Sequence, residues 1–270
     1  MSGRPLIEAD GVSFRYDEVT AVDGVSLVVH AGERIALLGP NGCGKSTLLR
    51  LLAALAFPHE GSIRFDGADL TEERLRDDAV ALPFRRRVGL LFQNAEVQLF
   101  NPTVFDELAF GPLQLGWPRE RIEARVAATL EEFGLRDLHD RSPHRLSGGE
   151  KKRVALASVL ILEPDVLLLD EPTAMLDPRT QSTLIDFLSG SAGSGRTFLT
   201  TTHDLAILED IADRCLVMQR GRLVADGTPH EILTNEPLLR EAGLLHAHRH
   251  VHGGGVVHSH PHRHGGHEHD

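Results

Sequence analysis

The sequence predicts an α/β fold with a parallel sheet, and three observations support this prediction. Short aliphatic segments alternate with helical segments along the chain, which is typical of a parallel sheet covered by helices. Residues 166–169 form an unbroken aliphatic run, as expected of a strand that is buried on both faces. Residues 94–163 show helical periods and no strand pattern, so we expect a helical subdomain inserted into the sheet.

The first half of the chain contains one predicted strand and two predicted helices. Ile35–Leu38 is a short apolar run that ends in a glycine-rich loop, and Ser46–Leu55 behind this loop has a helical pattern. Residues 119–133 repeat apolar side chains every three or four positions, and Gly134 closes this helix. The apolar positions of the helix are Ile122, Val126, Leu130 and Phe133.

The second half contains further strands and a helix with a clear start signal. Phe198–Thr201 and Leu216–Met218 have the composition of strands. Thr228 and Glu231 have capping-box spacing, and Pro229 occupies the first helical position between them. We therefore expect a C-terminal helix that begins at this point.

The charge balance and the cysteine count exclude several classes of protein. Of the 270 residues, 28 are Lys or Arg and 39 are Asp or Glu, so the formal net charge is −11 and we expect no nucleic-acid partner. The apolar runs are shorter than the roughly 20 residues that span a bilayer, and residues 1–10 lack a signal-peptide core. Cys43 and Cys215 make no disulfide framework. We expect a cytosolic chain whose membrane role would require a partner.

Histidines are concentrated at the C-terminus. Ten of the 16 histidines lie in residues 246–270, together with several glycines. A segment this polar buries too little apolar surface to offset the entropy lost on ordering. We therefore expect a folded domain over residues 1–240 and a flexible, disordered His-rich tail over residues 241–270.

A glycine-rich loop predicts a phosphate site. Residues 39–46 read GPNGCGKS, which fits G-x-x-x-x-G-K-[ST] between a predicted strand and a predicted helix. Glycines let backbone N–H groups approach phosphate oxygens, and the helix N-terminus adds partial positive charge. Lys45 should reach the β- and γ-phosphates and Ser46 should bind Mg²⁺, whereas Cys43 fits because it is small. The predicted nucleotide ligands here are Gly39, Pro40, Asn41, Gly42, Cys43, Gly44, Lys45, Ser46 and Thr47.

An acidic pair directly follows the aliphatic strand. Asp170 lies at the end of this strand, where a second metal ligand of a phosphate-loop enzyme is required, and Glu171 follows it. We expect Asp170 to hold Mg²⁺ together with Ser46, and Glu171 to orient or deprotonate the attacking water. The loop and the acidic pair together predict a site for the phosphates of a nucleotide and for Mg²⁺.

Four further motifs connect this site with a known family. The segment Leu146-Ser147-Gly148-Gly149-Glu150 precedes a helical run, Gln93 follows an apolar strand, Asp177 follows the acidic pair, and His203 follows another strand. In this order, and with the phosphate loop, these motifs resemble the ATP-binding cassette (ABC) ATPases over residues 4–240. The resemblance implies a RecA-like P-loop NTPase core, an inserted α-helical subdomain at about residues 94–163 and an N-terminal antiparallel β subdomain.

The same resemblance implies that two subunits, in the simplest case a homodimer, complete each ATP site. Ser147 and Gly149 at a helix N-terminus would meet the γ-phosphate bound to Lys45 of a second subunit. His203 would hold the γ-phosphate and the attacking water. Gln93 would sense Mg²⁺ and this water, and it would move with the helical subdomain that contacts a membrane partner.

Two of the matched positions require comment. Tyr16 falls where the family stacks an aromatic ring on adenine, although a tyrosine in a strand-like stretch also fits ordinary packing. Asp177 belongs to the nucleotide site by the same resemblance. Met175 occupies a position where the family usually has a smaller residue. Because methionine is adaptable, we expect altered packing at the subunit contact and intact chemistry.

A second, narrower resemblance concerns the type of ABC ATPase. Gln93–Phe100, Thr103–Glu107, Ala109–Pro112 and Ser147–Ala155 are similar to segments of the ATPases of energy-coupling-factor importers, which bring vitamins or transition metals into prokaryotic cells. This similarity implies integral membrane transport subunits as partners and a peripheral position on the cytoplasmic face of the membrane. A helical subdomain with ordinary loops is the alternative interpretation of residues 94–112.

The tail provides the argument for the cargo. Two segments alternate His with another residue, and imidazole binds Ni²⁺, Co²⁺, Zn²⁺ and Cu²⁺. Similar His-rich segments occur among nickel and cobalt transporters, so the predicted cargo is Co²⁺ or Ni²⁺. A merely solvated tail and an engineered tag are the alternatives. The candidate metal ligands are His246, His248, His250, His252, His258, His260, His262 and His264.

Three other functions compete with this prediction. The chain could energise a vitamin or amino-acid importer and carry an incidental tail. It could be a soluble cassette protein of DNA repair or translation, but such proteins usually carry two cassettes, a coiled-coil insertion or a basic surface. It could also store or deliver metal, with a secondary ATPase.

Overall fold

The computed structural model describes residues 4–174, 176–190, 195–251 and 257–263. The strands in this part of the chain are β1 Pro5–Tyr16, β2 Val19–His30, β3 Arg34–Leu38, β4 Glu60–Phe65, β5 Ala68–Asp69, β6 Val88–Leu91, β7 Val166–Asp170, β8 Thr197–Thr202, β9 Arg214–Gln219, β10 Arg222–Gly227, β11 Leu245–Val251 and β12 Val257–Arg263. The α-helices are α1 Lys45–Leu52, α2 Asp78–Arg87, α3 Val104–Gln114, α4 Arg119–Glu132, α5 Gly148–Leu160, α6 Pro178–Gly190, α7 Leu208–Ile211, α8 Pro229–Thr234 and α9 Glu236–Glu241.

Two sheets form the framework of the domain. An antiparallel sheet has the strand order β2-β1-β4-β5, and a larger sheet has the order β10-β9-β3-β8-β7-β6. In the larger sheet β9, β3, β8, β7 and β6 run parallel, and β10 pairs with β9 in the antiparallel direction. The predicted α/β class, the RecA-like core and the N-terminal antiparallel subdomain are therefore confirmed.

The central strands separate two hydrophobic cores. Leu37 and Leu168 point into a core shared with α1 and the antiparallel sheet, whereas Leu38 and Leu169 point into a core shared with α3, α4 and α5. All four side chains are fully buried. Because successive residues of a strand face opposite sides, the continuous aliphatic run of β7 is explained by burial on both faces.

The helical insertion lies between β6 and β7. It contains α3, α4, α5 and three short 3₁₀ turns, and the described residues between these two strands include no further strand. Leu108, Val126 and Val154, one from each helix, are completely buried in the same core. The inserted helical subdomain is thus confirmed, while its limits at residues 94 and 163 stay a prediction.

The first helix is shorter than its sequence pattern indicates. The pattern predicts a helix through Leu55, but α1 ends at Leu52. The Leu55 N–H donates to the Arg50 carbonyl (2.9 Å) and the Ala54 N–H donates to the Leu51 carbonyl (3.0 Å). This is a Schellman ending, with Ala54 at a φ of 52° where glycine is usual. The sequence therefore lacks the residue that normally marks such a stop.

The C-terminal helix begins as predicted and leads toward the phosphate loop. The Thr228 hydroxyl accepts from the Glu231 N–H (3.3 Å), and the Glu231 carboxylate accepts from the Thr228 N–H (2.7 Å). After α9, a Cβ placed on Gly243 would lie 3.9 Å from Pro40 Cβ, and Leu244 is buried. The segment that precedes the tail therefore packs beside the phosphate loop.

The tail is described only in its backbone. Strands β11 and β12 pair in the antiparallel direction, and their side chains beyond Leu245 lie outside the described part of the chain. The register pairs His246 with His262, His248 with His260 and His250 with His258. His252 and His264 lie outside the described residues. The flexibility of the tail and its metal ligands stay predictions.

No helix in the described part of the chain has both the length and the hydropathy needed to cross a bilayer.

Candidate nucleotide site

The phosphate loop connects β3 to α1 and contains two glycines that cannot be replaced without a clash. A Cβ on Gly39 would lie 2.3 Å from the Met218 carbonyl oxygen, and one on Gly44 would lie 2.1 Å from the Ala21 carbonyl oxygen. The two glycines also have φ values of 152° and 110°. The loop is thus packed tightly between β2 and β9. Close packing of the loop on one side fixes the N–H groups that a phosphate would bind on the other.

Lys45 lies at the first position of α1 and is buried. Its ammonium donates to the carbonyls of Gly39 (2.7 Å) and Pro40 (3.2 Å) and lies 3.8 Å from Glu171 Oε1. A Cβ on Gly42 would meet no atom within 4 Å, so the outer side of the loop is open. The helix N-terminus, the ammonium and the open loop suit a bound phosphate chain.

Thr201 holds the backbone of the acidic pair. It lies opposite Asp170 in the β7–β8 ladder, and its hydroxyl donates to Asp170 Oδ1 (2.8 Å). The same hydroxyl accepts from the Glu171 N–H (2.8 Å). Glu171 has a φ of 42°, a conformation that costs a non-glycine residue about 1–2 kcal/mol. The bond to Thr201 stabilises this strained turn and thereby sets the direction of the Glu171 side chain.

Three predicted site residues converge on the buried Glu171 carboxylate. Gln93 Nε2 donates to Glu171 Oε2 (3.3 Å), and His203 Nδ1 lies 3.3 Å from the same oxygen. Lys45 approaches the other oxygen, as described above. Glu171 and His203 also line a small cavity of about 100 Å³. The structure therefore brings the phosphate-loop lysine, the glutamine and the histidine around one carboxylate that can accept a proton from water.

Ser46 and Asp170 provide a donor set that fits Mg²⁺. Hydroxyl and carboxylate oxygens are the protein ligands that Mg²⁺ prefers, and it keeps several waters beside them. Asp170 is buried at the end of β7, and Thr201 orients one of its two carboxylate oxygens. Among the residues that the structure describes, no three His, Cys, Asp or Glu side chains are placed to hold a metal ion by themselves.

The glycine-rich signature at the start of α5 lies apart from this convergence. Ser147 caps α5 and forms a capping box with Glu150, a bond that lowers the pKa of the Glu150 carboxyl. Ser147 and Gly148 are exposed, and a Cβ on Gly149 would lie 3.3 Å from Asp177 Oδ2. The structure thus places the signature against Asp177 and leaves its outer face toward solvent.

Tyr16 lies at the end of β1 and is 44% exposed. Its ring meets Phe14 edge-on at 4.9 Å between centroids, and its hydroxyl accepts from Arg50 Nη1 at 3.4 Å. The ring has both a packing partner and an accessible surface, so the two interpretations of Tyr16 stay open. Met175, where altered packing is expected, lies outside the described residues.

Both cysteines are buried free thiols. Burial raises the pKa of the Cys43 thiol, although the Lys45 charge opposes this shift. Burial also raises the pKa of Cys215, to about 12. Each thiol is therefore protonated at neutral pH, which agrees with the expectation that Cys43 is present for its size.

Two residues of the site have no sequence signal. Thr201 is one of three consecutive threonines, and Lys152 is one of two consecutive lysines in α5. Lys152 is 5% exposed, and its ammonium donates to the Gln93 carbonyl (2.9 Å) and the Phe92 carbonyl (3.2 Å). Burial lowers the pKa of Lys152 to about 8, while the charges of Asp170 and Glu171 oppose that shift.

Comparison with known protein sequences agrees with this geometry. Residues 22–174 match the family model described as ABC transporter. The nickel import ATP-binding protein NikO of Rhodobacter capsulatus is 56% identical over 244 residues, which are 89% of this chain and 96% of that protein. The energy-coupling factor transporter ATP-binding protein EcfA of Methanothermobacter thermautotrophicus is 42% identical, over 88% of this chain and 76% of that protein.

Solved structures are similar over most of the chain. The structure of cbiO1 from Clostridium perfringens, part of the ABC transporter complex cbiONQ, has a TM-score of 0.73 and 34% identity over 89% of this chain and 95% of that one. The ATP-binding cassette MJ0796 was solved as a dimer in a post-hydrolysis state bound to ADP and Pi. It has a TM-score of 0.74 and 25% identity, over 83% of this chain and 99% of that one.

Replacement of Thr201 by valine should impair ATP turnover more than ATP binding. The Thr201→Val variant keeps the shape of the side chain but leaves the Glu171 N–H unpartnered and frees the Asp170 carboxylate. We expect kcat to fall at least about tenfold, which corresponds to the loss of one buried hydrogen bond at the reacting group. Half-maximal turnover should also require more Mg²⁺.

The matched control for this experiment is Thr200→Val, because Thr200 is buried one position earlier and faces the other side of β8. Turnover by this control should stay near that of the wild type. Equal losses in the two variants would show that the effect comes from the strand and not from the acidic pair.

Proposed function

Because this chain belongs to the ABC transporter family, we propose that it is the ATP-hydrolysing subunit of a nickel or cobalt importer of the energy-coupling-factor type. The convergence of Lys45, Gln93 and His203 on the Glu171 carboxylate supports the hydrolytic role. The 56% identity to a nickel import ATP-binding protein supports the cargo. The contacts of Glu171 and the identity to the nickel import protein both concern the ATPase domain.

In the proposed reaction Glu171 accepts a proton from the water that attacks the γ-phosphate. Gln93 and His203 both contact Oε2 of Glu171, and they would orient this water. Lys45, which lies near the other carboxylate oxygen, would stabilise negative charge on the phosphate. Bound Mg²⁺ would neutralise charge on the β- and γ-phosphates, held by Ser46 and Asp170. Hydrolysis needs no covalent intermediate with the protein in this scheme.

The exposed signature indicates that a second subunit completes the site. Ser147 and Gly148 are exposed and begin a helix of 13 residues whose N-terminus faces solvent. Such an N-terminus attracts an anion, and the γ-phosphate of a second subunit is the ligand we propose. The dimeric MJ0796 cassette supports this arrangement, and a homodimer is its simplest form.

An exposed aromatic surface in the helical subdomain is the proposed contact with the membrane subunits. Phe100 and Phe110 pack edge-on at 4.9 Å, and they are 61% and 39% exposed. Leu113 lies one turn after Phe110 on α3 and is 58% exposed. We call these three residues the aromatic patch; Phe100 and Phe110 also line a cavity of about 220 Å³, together with Arg86 and Glu107. Contiguous apolar surface of this kind marks a protein interface.

This location would place the chain on the cytoplasmic face of the membrane, attached through its partners. The relative cbiO1 is described as part of the complex cbiONQ, which supports a multi-subunit assembly. The His-rich tail would bind the transported divalent metal. The alternation of His in the sequence and the backbone register of β11 and β12, which pairs His with His, support this part of the proposal.

Replacement of Glu171 by glutamine should trap an ATP-bound dimer. The amide cannot accept the proton, so we expect turnover to fall by at least about a hundredfold while nucleotide binding persists. Size-exclusion chromatography with Mg·ATP should show a dimer for Glu171→Gln that disappears when Lys45→Ala is added.

Glu163→Gln is the matched control, because Glu163 also has a positive φ, of 53°, but lies at the protein surface. This variant should hydrolyse ATP normally and form no trapped dimer. Normal turnover by Glu171→Gln would contradict the role of the carboxylate.

The cargo is tested by co-expression with candidate membrane subunits and uptake of radiolabelled Ni²⁺ and Co²⁺ into membrane vesicles. Uptake should depend on ATP and be absent with Lys45→Ala. Phe110→Asp should release the chain from the membrane subunits and preserve ATP binding. Val224→Asp, at an exposed apolar residue of β10, should preserve both the attachment and ATP binding. ATP-dependent uptake of a vitamin, with no uptake of either metal, would refute the metal cargo and leave the ATPase assignment intact.

Deletion of residues 246–270 should separate metal binding from catalysis. Leu244 and Leu245 are buried and remain in the truncated chain, so we expect basal ATP turnover to stay near the wild-type value. Equilibrium dialysis should show that most bound Ni²⁺ is lost. In the full chain the bound Ni²⁺ should decrease as the pH falls through about 6.5, because protons compete for the imidazole nitrogens. A large loss of turnover on deletion would show that the tail belongs to the catalytic fold.

A further inference from the structure

A buried lysine joins the signature helix to the loop that carries Gln93. We propose that Lys152 is a positioning residue for ATP hydrolysis, which holds the backbone at Gln93 so that the Gln93 side chain reaches Glu171. This inference rests on the roles of Gln93 and Glu171 proposed above. It concerns a residue of α5 whose ammonium bonds to backbone carbonyls.

The contact geometry of Lys152 is that of a clamp on the loop after β6. Its ammonium donates to two successive carbonyls, of Phe92 and Gln93, at 3.2 and 2.9 Å. The lysine comes from α5, and the chain separation between the bonded residues is 60 and 59 positions. Bonds of a charged donor are the stronger kind, and these two fix the loop where it leaves the sheet.

The contact that this clamp would position is a long one. Gln93 is an exposed loop residue, and its Nε2 reaches Glu171 Oε2 at 3.3 Å. A small displacement of the Gln93 backbone would therefore break the bond, because hydrogen bonds weaken steeply beyond this length. The Gln98 side chain supports the same loop, since it accepts from the Phe92 N–H (3.2 Å) and donates to the Ala155 carbonyl of α5 (3.3 Å).

The clamp also has a consequence for the dimer. Ser147 caps α5 and Lys152 lies within the same helix of 13 residues, so any rotation of α5 moves both together. In the proposed dimer Ser147 would serve the nucleotide of the second subunit, whereas Gln93 serves the nucleotide of its own chain. Lys152 thus links the signature movement at one ATP to the placement of Gln93 at the other.

Lys151 provides the matched control. It is the neighbouring lysine on α5, and it pairs with Glu96 on the same loop without touching the Gln93 backbone. Lys151→Met therefore removes a charge and a loop contact one residue away from the clamp. If any tether on this loop were sufficient for ATP hydrolysis, Lys151→Met would lower kcat as much as Lys152→Met.

The experiment measures kcat and KM for Mg·ATP on the full chain for Lys152→Met, Lys152→Arg, Lys151→Met, Gln93→Ala and the double variant Lys152→Met with Gln93→Ala. We expect Lys152→Met to lower kcat about tenfold to a hundredfold, the range for loss of a charged hydrogen bond, with KM little changed. Lys152→Arg should recover most of this loss, because the guanidinium keeps the positive charge and offers N–H donors to the two carbonyls. Lys151→Met should keep the wild-type kcat.

The double variant gives the decisive result. If Lys152 acts through Gln93, then Lys152→Met should cost nothing more once Gln93→Ala is present. The inference would be overturned if Lys152→Met lowered kcat equally with and without Gln93→Ala, or if it left kcat unchanged. It would also be overturned if Lys152→Met changed both kcat and KM and Lys152→Arg restored neither. A Gln93→Ala variant with normal kcat would overturn the role of Gln93 itself, whereas an impaired Gln93→Ala with a normal Lys152→Met would overturn only the inference.

Discussion

The hydroxyl of Thr201 bonds to Asp170 and to the Glu171 backbone at the same time, at 2.8 Å each. Two acidic residues that are neighbours in sequence are thereby held by one hydroxyl, and in the proposed reaction one would hold Mg²⁺ while the other would accept a proton from the attacking water. The parallel register of β7 and β8 makes this possible, because it sets Thr201 directly opposite Asp170. Without this bond the strained backbone at Glu171 would relax, and its carboxylate would move away from Lys45, Gln93 and His203.

The rest of the fold serves this edge of the sheet. β3 ends at the phosphate loop, β7 at the acidic pair and β8 just before His203, so three neighbouring parallel strands deliver their loops to one place. The cores on the two faces bury these strands, and Ala21 of the antiparallel sheet packs against Gly44 of the phosphate loop. Gln93 lies at the start of the helical insertion, and the signature at the start of α5 in the same insertion is exposed. In the proposed mechanism Gln93 and the signature therefore move together as one unit.

The sequence predicts the features that depend on local pattern. The phosphate loop, the aliphatic strand β7 and the capping box of α8 are short, and their residue spacing is set by contacts within a few positions. The structure confirms the strands and helices predicted from such patterns, with an error where Ala54 replaces the usual glycine at the end of α1. Thr201 and Lys152 could not be predicted, because their bonds join residues 31 and about 60 positions apart and depend on register and helix placement. The twelve-residue strands β1 and β2 contain several irregularities in register, which interrupt the alternation that would reveal them.

The aromatic patch of Phe100, Phe110 and Leu113 affects the solubility of copies that have no partner. Apolar surface of this kind is buried when a partner covers it, and it promotes aggregation when it is exposed to water. Copies made in excess of the membrane subunits would carry an open hydrophobic face and compete for chaperones and proteases. If the patch is the proposed membrane contact, balanced synthesis of the subunits would favour accumulation of the assembly, since uncovered copies would aggregate even with a fully formed ATP site.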